Sequence, residues 1–378
     1  MSSSHRLTIL HIAAPGAEGG LESVLIELTG GLSQLGHRIV LAALQASGAP
    51  DSPALDRVTA LGVEVVRVRV PSRAYGTEFH RLREVIETFQ PDVVQTHGYR
   101  ADLLGGLAAR CAEVPWVSTA HGFTGGDLKN RFYERLQRWS YRRAQAVIAV
   151  SAPLRAQLIS DGVPPKRAHF LANAWAPKPL LSREAALAKL GLGAAAPVIG
   201  WVGRLTREKG ADLFLEALAL ISDQDWCASI VGDGRERQAL EAQAERLGIG
   251  GRVHWHGLQP GAAALYPAFD VWVLSSRTEG TPIALFEALA ARVPVVTTMV
   301  GGVPDVVSSA EALLVEQEQP AALAAAIGLV LADPCAAAAR AESAYQRLLA
   351  SFATTPWLDA HVALYRAISR PDRVEADA

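Results

Sequence analysis

Short β-branched, apolar runs alternate with segments of helical period along nearly the whole chain, and that alternation constrains the fold more than any single motif. Strands separated by helical crossovers pair parallel and are covered on both faces, which is the α/β arrangement. In the first half, strands are expected at Leu7 to Ile12, Arg38 to Leu44, Val63 to Val70, Asp92 to Thr96, Trp116 to Ala120 and Ala146 to Val150. The second half restarts with Val198 to Val202, Cys227 to Val231, Val253 to His256, Val271 to Leu274 and Val293 to Thr297. Between them NAWAPKPLL, with Pro177 and Pro179, disfavours helix and reads as a linker near residues 174–182. Two domains follow, residues 1–175 and 176–355, and then a helix over 356–370 with Trp357, His361, Leu364, Tyr365 and Ile368 near one face. The alanine-rich stretch Ala321 to Ala341 reads as helix.

Composition narrows the function classes. The chain has 378 residues, half of them hydrophobic, which is enough for two cores. Its net charge of −2 argues against a nucleic-acid partner. Cys111, Cys227 and Cys335 are an odd, widely spaced set, read as buried thiols in a reducing compartment. The start MSSSHRLTILHIAAPGA mimics a signal peptide, but a first strand explains it better. No window reaches the roughly 18 apolar residues of a membrane span, so a cytoplasmic location is expected.

In doubly wound sheets ligands bind beyond the carboxyl ends of the strands. After the first strand, Gly19 and Gly20 precede a helix whose N-terminus suits an anion, although a plain tight turn fits as well. WVGRLTREKG puts Arg204, Arg207 and Lys209 beyond the first strand of the second half, where cations can hold a diphosphate; a solvated loop is the alternative. In SSRTEGTPIALFEALA, Thr281 is expected to cap a helix with Pro282 at its first position, leaving the N–H groups of Ile283 and Ala284 for phosphate. Glu279, just before Gly280, and Glu287, inside the helix, can accept from hydroxyls of two sugar rings or form structural ion pairs. His121 follows a strand and reads either as a cleft group or as a histidine satisfied in the core.

This segment resembles the Glu-x7-Glu signature of retaining GT-B glycosyltransferases, glycosyltransferase family 4. The resemblance extends to Gly19 and Gly20, TAHGF, VIAVSAPLR, VGRLTREKG, VGDG and VVTTMVGGVPDVV, and so to nearly the whole chain. It implies two Rossmann-like doubly wound domains facing a central cleft, with the last helix crossing back to the first domain. It assigns Glu287 to the ribose, Glu279 to the donor sugar, and Arg204 and Lys209 to the diphosphate. Gly20 would meet phosphate, and His121 would lie beside the reacting sugar. A metal-independent front-face displacement is implied, with a nucleotide-sugar donor, a glycan or lipid-linked acceptor, and no cofactor. Asp223-Gln224-Asp225 precedes its strand and is expected away from the site. Two departures stand out: Arg292 where the family has glycine, and Trp175, expected to narrow the cleft.

A GT-B epimerase or phosphorylase, or a subunit that only binds nucleotide sugar, remains as a rival. The missing GxGxxG argues against a nicotinamide dehydrogenase. Finally, DLKNRFYERLQRWSYRR, residues 127–143, places Leu128, Phe132, Leu136 and Trp139 on one stripe among six basic residues. That stripe suits either an anionic membrane surface or packing on the sheet.

Overall fold

The computed structural model describes residues 6–16, 19–123, 128–193 and 195–369. The chain divides into two compact units, one holding the residues up to Ala174 and those from Thr354 on, the other Trp175–Ala353. Each is built on its own parallel sheet. The first has β1 (Thr8–Ala13), β2 (Arg38–Ala46), β3 (Glu64–Val70), β4 (Val93–His97), β5 (Trp116–Ala120), β6 (Ala146–Ala149) and β7 (Ala168–Phe170) in the order β3-β2-β1-β4-β5-β6-β7. The second has β8 (Val198–Val202), β9 (Cys227–Val231), β10 (Val253–Trp255), β11 (Val271–Leu274), β12 (Val295–Thr298) and β13 (Leu313–Val315) in the order β10-β9-β8-β11-β12-β13. Both orders reverse beside their first strand, at β1/β4 and at β8/β11. These are the doubly wound sheets expected of a GT-B chain.

Each sheet carries its own core. Leu10, Ile12, Val40, Val94 and Trp116 lie in the first, and Trp201, Phe214, Ile230 and Val273 in the second. Burying such side chains contributes about 1.5–3 kcal/mol apiece. The helix Thr354–Ile368 packs within the first unit: Leu358 fills the space over Gly31, and the buried Tyr365 hydroxyl bonds Gln95 of β4.

Several details differ from the sequence expectations. The edge strands β7 and β13, three residues each, are absent from the strands expected from the sequence. The alanine-rich stretch is two helices, Pro320–Ala332 and Pro334–Ser351, bent by 103°. Pro334 starts the second one, and Asp333 caps it by accepting from Ala336 N at 2.9 Å. Cys111 and Cys335 are exposed and Cys227 is half-buried, so the expectation of three buried thiols fails; helix periodicity turns the first two to solvent. Arg292 adopts φ +52° in place of glycine. That conformation costs roughly 1 kcal/mol for a residue with a Cβ. The guanidinium lies 4.0 Å from the Tyr345 ring centroid and 2.9 Å from Glu342, contacts that offset the cost. Trp175 forms a bridge with Ala353 in the second unit. Among the described residues, no single helix is long and apolar enough to cross a membrane.

Asp102 ties one region of the first unit together. It lies in a π-helical turn, Ala101–Gly105, and is fully buried. Thr96 and Ser118 hydroxyls donate to one carboxylate oxygen at 2.6 Å each, while Gln137 and Tyr141 donate to the other at 2.7 and 3.2 Å. It therefore pins the helix Leu128–Tyr141 to β4 and β5. Burial raises its pKa from 3.8 to about 6, against the lowering effect of the four hydrogen bonds. The folded chain thus holds this proton more tightly than the unfolded chain. The associated stabilisation is complete below pH 3.8 and is lost as pH rises toward about 6. Denaturant unfolding of the native protein and of Asp102→Asn should show a stability difference that shifts in favour of the native protein by about 2 kcal/mol between about pH 7 and about pH 4. A difference independent of pH would contradict this assignment.

Candidate active site

Where the strand order reverses, neighbouring loops diverge and leave a crevice at the carboxyl end of the sheet. In the second unit the loops after β8 and β11 meet there. Gly210 has φ +67°, and a Cβ on it would lie 2.0 Å from the Ser275 carbonyl oxygen, so glycine lets the two loops touch. Ser275 Oγ donates to Gly210 O at 2.7 Å. Lys209 Nζ then reaches both carboxylate oxygens of Glu279, at 2.7 and 2.8 Å, and Ser276 Oγ donates to Oε1 at 2.7 Å. The Glu279 side chain is only 5 % exposed, and these donors balance its desolvation. The loop after β12 closes the other side. Gly301, at φ +53°, lies against the Glu279 carbonyl, where a Cβ would approach to 1.8 Å, and Gly302 N donates to Gly280 O at 2.7 Å.

Arg277 fixes the β8 loop from behind. It bonds both oxygens of Asp212 at 2.7 and 2.8 Å, donates to Arg207 O at 2.8 Å, and pairs with Glu318. Asp212 foremost, with Glu318, raises the guanidinium pKa further still. Arg204 stands apart, 60 % exposed and 3.6 Å from Glu208. The diphosphate pair expected from sequence is therefore unequal, with Lys209 held in place and Arg204 facing solvent.

The helix bearing Glu287 spans Ile283–Ala290. Its N-cap is Pro282 in extended conformation, with no side-chain cap, so Thr281 lies one residue before the cap and Pro282 precedes the first helical position. Proline's fixed φ suits this extended position as well as it suits a first turn. Leu285 N is bonded to Pro282 O, so Ile283 and Ala284 still lead the helix with N–H groups ahead of its internal ladder. Glu287 pairs with Lys178 Nζ at 3.1 Å and is 14 % exposed. Beneath it the buried Tyr266 hydroxyl donates to Ala284 O at 3.1 Å; burial first, and then the Glu287 charge, raises its pKa well above 10.0.

In the first unit, Gly19 is the N-cap and Gly20 the first residue of the helix Gly20–Gln34, beyond β1. Glu22 in its first turn accepts from Gly16 N at 2.6 Å. His121 follows β5, half-buried, and its Nε2 lies 3.3 Å from His97 Nδ1. The Asp223-Gln224-Asp225 segment precedes β9, at the amino end of its sheet. Sequence reasoning missed Lys178, Ser276, Arg277, His11 and His97. The last two carry a legible signal, since polar residues within buried apolar strands need partners.

Comparisons with known proteins place the chain in a family. The sequence matches the family described as Glycosyl transferases group 1 over residues 182–347 and that described as Glycosyltransferase Family 4 over residues 18–175. It is 31% identical over 288 residues to a 2-deoxystreptamine glucosyltransferase of Streptomyces kanamyceticus, covering 68% of this chain and 72% of the relative. A 2-deoxystreptamine N-acetyl-D-glucosaminyltransferase of Streptomyces fradiae is 28% identical over 357 residues, covering 84% and 83%. Among solved structures, Anabaena HepE in complex with UDP-glucose superposes with a TM-score of 0.85 at 21% identity, covering 96% of this chain and 100% of that one. With both halves matched and the doubly wound sheets in place, the chain belongs to the GT-B glycosyltransferases of the family 4 type.

Proposed function

We propose that this glycosyltransferase moves a sugar from a nucleoside diphosphate donor to an acceptor hydroxyl with retention of anomeric configuration and without a metal. The observation that carries the reading is the Lys209–Glu279–Ser276 cluster at the β8/β11 reversal, whose buried Glu279 side chain stands eight residues before Glu287. The UDP-glucose in the HepE structure supports the donor class. Glu287 accepts from the ribose hydroxyls once Lys178 gives way, and Ile283 and Ala284 offer N–H groups to phosphate. Lys209, with Arg204 swinging in from solvent, balances charge on the leaving diphosphate, the task a metal performs elsewhere. Gly19 and Gly20 offer a second helix N-terminus to an anion. Glu279 orients sugar hydroxyls. The bond from the anomeric carbon to the phosphate oxygen breaks, the acceptor oxygen bonds that carbon on the same face, and the acceptor proton passes to the departing phosphate.

Release of nucleoside diphosphate coupled to a glycosylated product tests this reading against an epimerase, a phosphorylase or a binding subunit. Lys209→Ala should lower turnover by about 10²-fold, and chelation with EDTA should leave the native rate unchanged. Glu287→Ala should weaken donor binding about tenfold, while Glu279→Ala should act mainly on turnover. Small, equal effects from both carboxylates would make them structural ion pairs. Inversion at the anomeric centre, read from proton coupling in the product, would overturn the front-face mechanism.

The acceptor reading rests on the helix Leu128–Tyr141. Asp127 and the side chains of Leu128 and Lys129 lie outside the described residues. Phe132 and Trp139 are 58% and 50% exposed and share a face with the exposed Arg131 and Arg135. Arg143 stacks 3.5 Å over the Trp139 ring. The face toward the sheet instead carries Gln137 and the buried Tyr141, both bound to Asp102, so Phe132 and Trp139 lie outside the core. Such a face suits an anionic lipid surface, and with it a lipid-linked glycan acceptor in envelope or exopolysaccharide assembly. The named acceptor of the two Streptomyces relatives favours a second reading, a small aminocyclitol. Co-sedimentation with anionic vesicles at low salt should retain the native protein and lose most of a Phe132→Ser, Trp139→Ser variant. No binding by the native protein would remove the membrane reading and leave the aminocyclitol.

A further inference from the structure

We propose that His11 and His97 are positioning residues that fix the tautomer of His121, so that His121 meets its ligand as an Nδ1–H donor. The effect on turnover rests on placing His121 beside the donor; the tautomer stands on geometry alone.

The sheet register builds the arrangement. His11 on β1 pairs with Gln95 on β4, two residues before His97, and His97 pairs with Thr119 on β5, two residues before His121. Side chains two apart on a strand share a face, so the three imidazoles climb the same side of the sheet in steps toward its carboxyl end. His11 Nδ1 lies 3.2 Å from His97 Nε2, and His97 Nδ1 lies 3.3 Å from His121 Nε2. The rings stack at centroid distances of 5.5 and 5.6 Å.

A neutral imidazole has one N–H and one lone pair, so such a string has two self-consistent polarities. In one, every Nδ1 is protonated: His11 donates to His97, His97 donates to His121, and His121 keeps a donor at Nδ1. In the other, every Nε2 is protonated, the bonds reverse, and the last proton sits on His11 Nε2. That atom is buried and meets no protein partner. A buried N–H without an acceptor is costlier than an acceptor left unused, so the first polarity prevails.

Charge does not disturb the string near neutral pH. Burial foremost lowers His11 to about 3 and His121 to about 4, and lowers His97 well below 6.5. His361 packs nearby, also neutral, its pKa lowered to about 4 by burial and its Nδ1 bonded to Trp357 O at 2.9 Å. The other polar groups on this face are neutral: Gln95 Nε2 donates to Thr119 Oγ1 at 2.7 Å, and Tyr365 OH donates to Gln95. His121 therefore holds no lone pair at Nδ1. A hydroxyl or phosphate oxygen placed there receives a hydrogen bond and loses no proton to it.

Long-range 1H–15N correlation on the full chain, labelled in its histidine rings at about pH 7.5, reads each tautomer directly. His121→Asn assigns the His121 signals. The expected result is a protonated Nδ1 and an unprotonated Nε2 on His121; a protonated Nε2 overturns the proposal. His97→Leu should release His121 into a mixture of tautomers and lower kcat about tenfold, with the donor KM changed less than about twofold. In His97→Asn the amide nitrogen stands where Nδ1 stood, and it should restore the Nδ1–H form and part of the turnover. An unchanged His121 tautomer in His97→Leu would show that the string does not set it. Because the spectra require no substrate, failure of the glycosyltransfer reading would appear only in kcat.

Discussion

A parallel strand covered on both faces must bury its side chains and still pair every backbone group, and only neighbouring strands running the same way, joined by helical crossovers, satisfy both demands here. Among the described residues, every ladder between the thirteen strands is parallel. All strands of a sheet therefore exit at the same end. Loops distant in sequence are gathered there, and at the reversal of strand order no crossover covers them. Lys209 and Glu279, 70 residues apart, meet for this reason.

The same constraint governs the polar groups inside the units. A carboxylate or imidazole taken into a sheet loses water and must recover its hydrogen bonds locally. Asp102 recovers four, from neutral donors on β4, β5 and the basic helix. Glu279 recovers them from a lysine and a serine on neighbouring loops. The histidines recover theirs mainly from each other, which leaves each with a defined donor direction and no charge. Asp102 thus serves attachment within the first unit, whereas Glu279 and Glu287 are each held by a lysine.

Much of this was legible in the sequence because it depends on local pattern. Apolar runs with period-2 or helical spacing marked most of the strands, and Glu279 and Glu287 drew attention to the segment that follows β11. Other features depend on which residues become neighbours across a sheet. Ser276 and Lys178 have no local peculiarity, and only the fold sets them beside Glu279 and Glu287. Arg277 looks like an exposed loop residue until Asp212 and Glu318 are placed around it. The displaced cap at Pro282 and the break at Pro334 reflect proline's two roles, ending an extended segment or opening a helix, which composition alone does not separate.

The nucleotide-sugar site proposed for this chain is the carboxyl end of the second sheet, from Lys209 to Glu287. Ligand-observed NMR with a panel of nucleoside diphosphate sugars tests it most directly. At least one donor should bind the native protein, be displaced by its own nucleoside diphosphate, and bind Glu287→Ala much more weakly. Absence of binding across the panel, or equal binding by the folded Glu287→Ala variant, would contradict it.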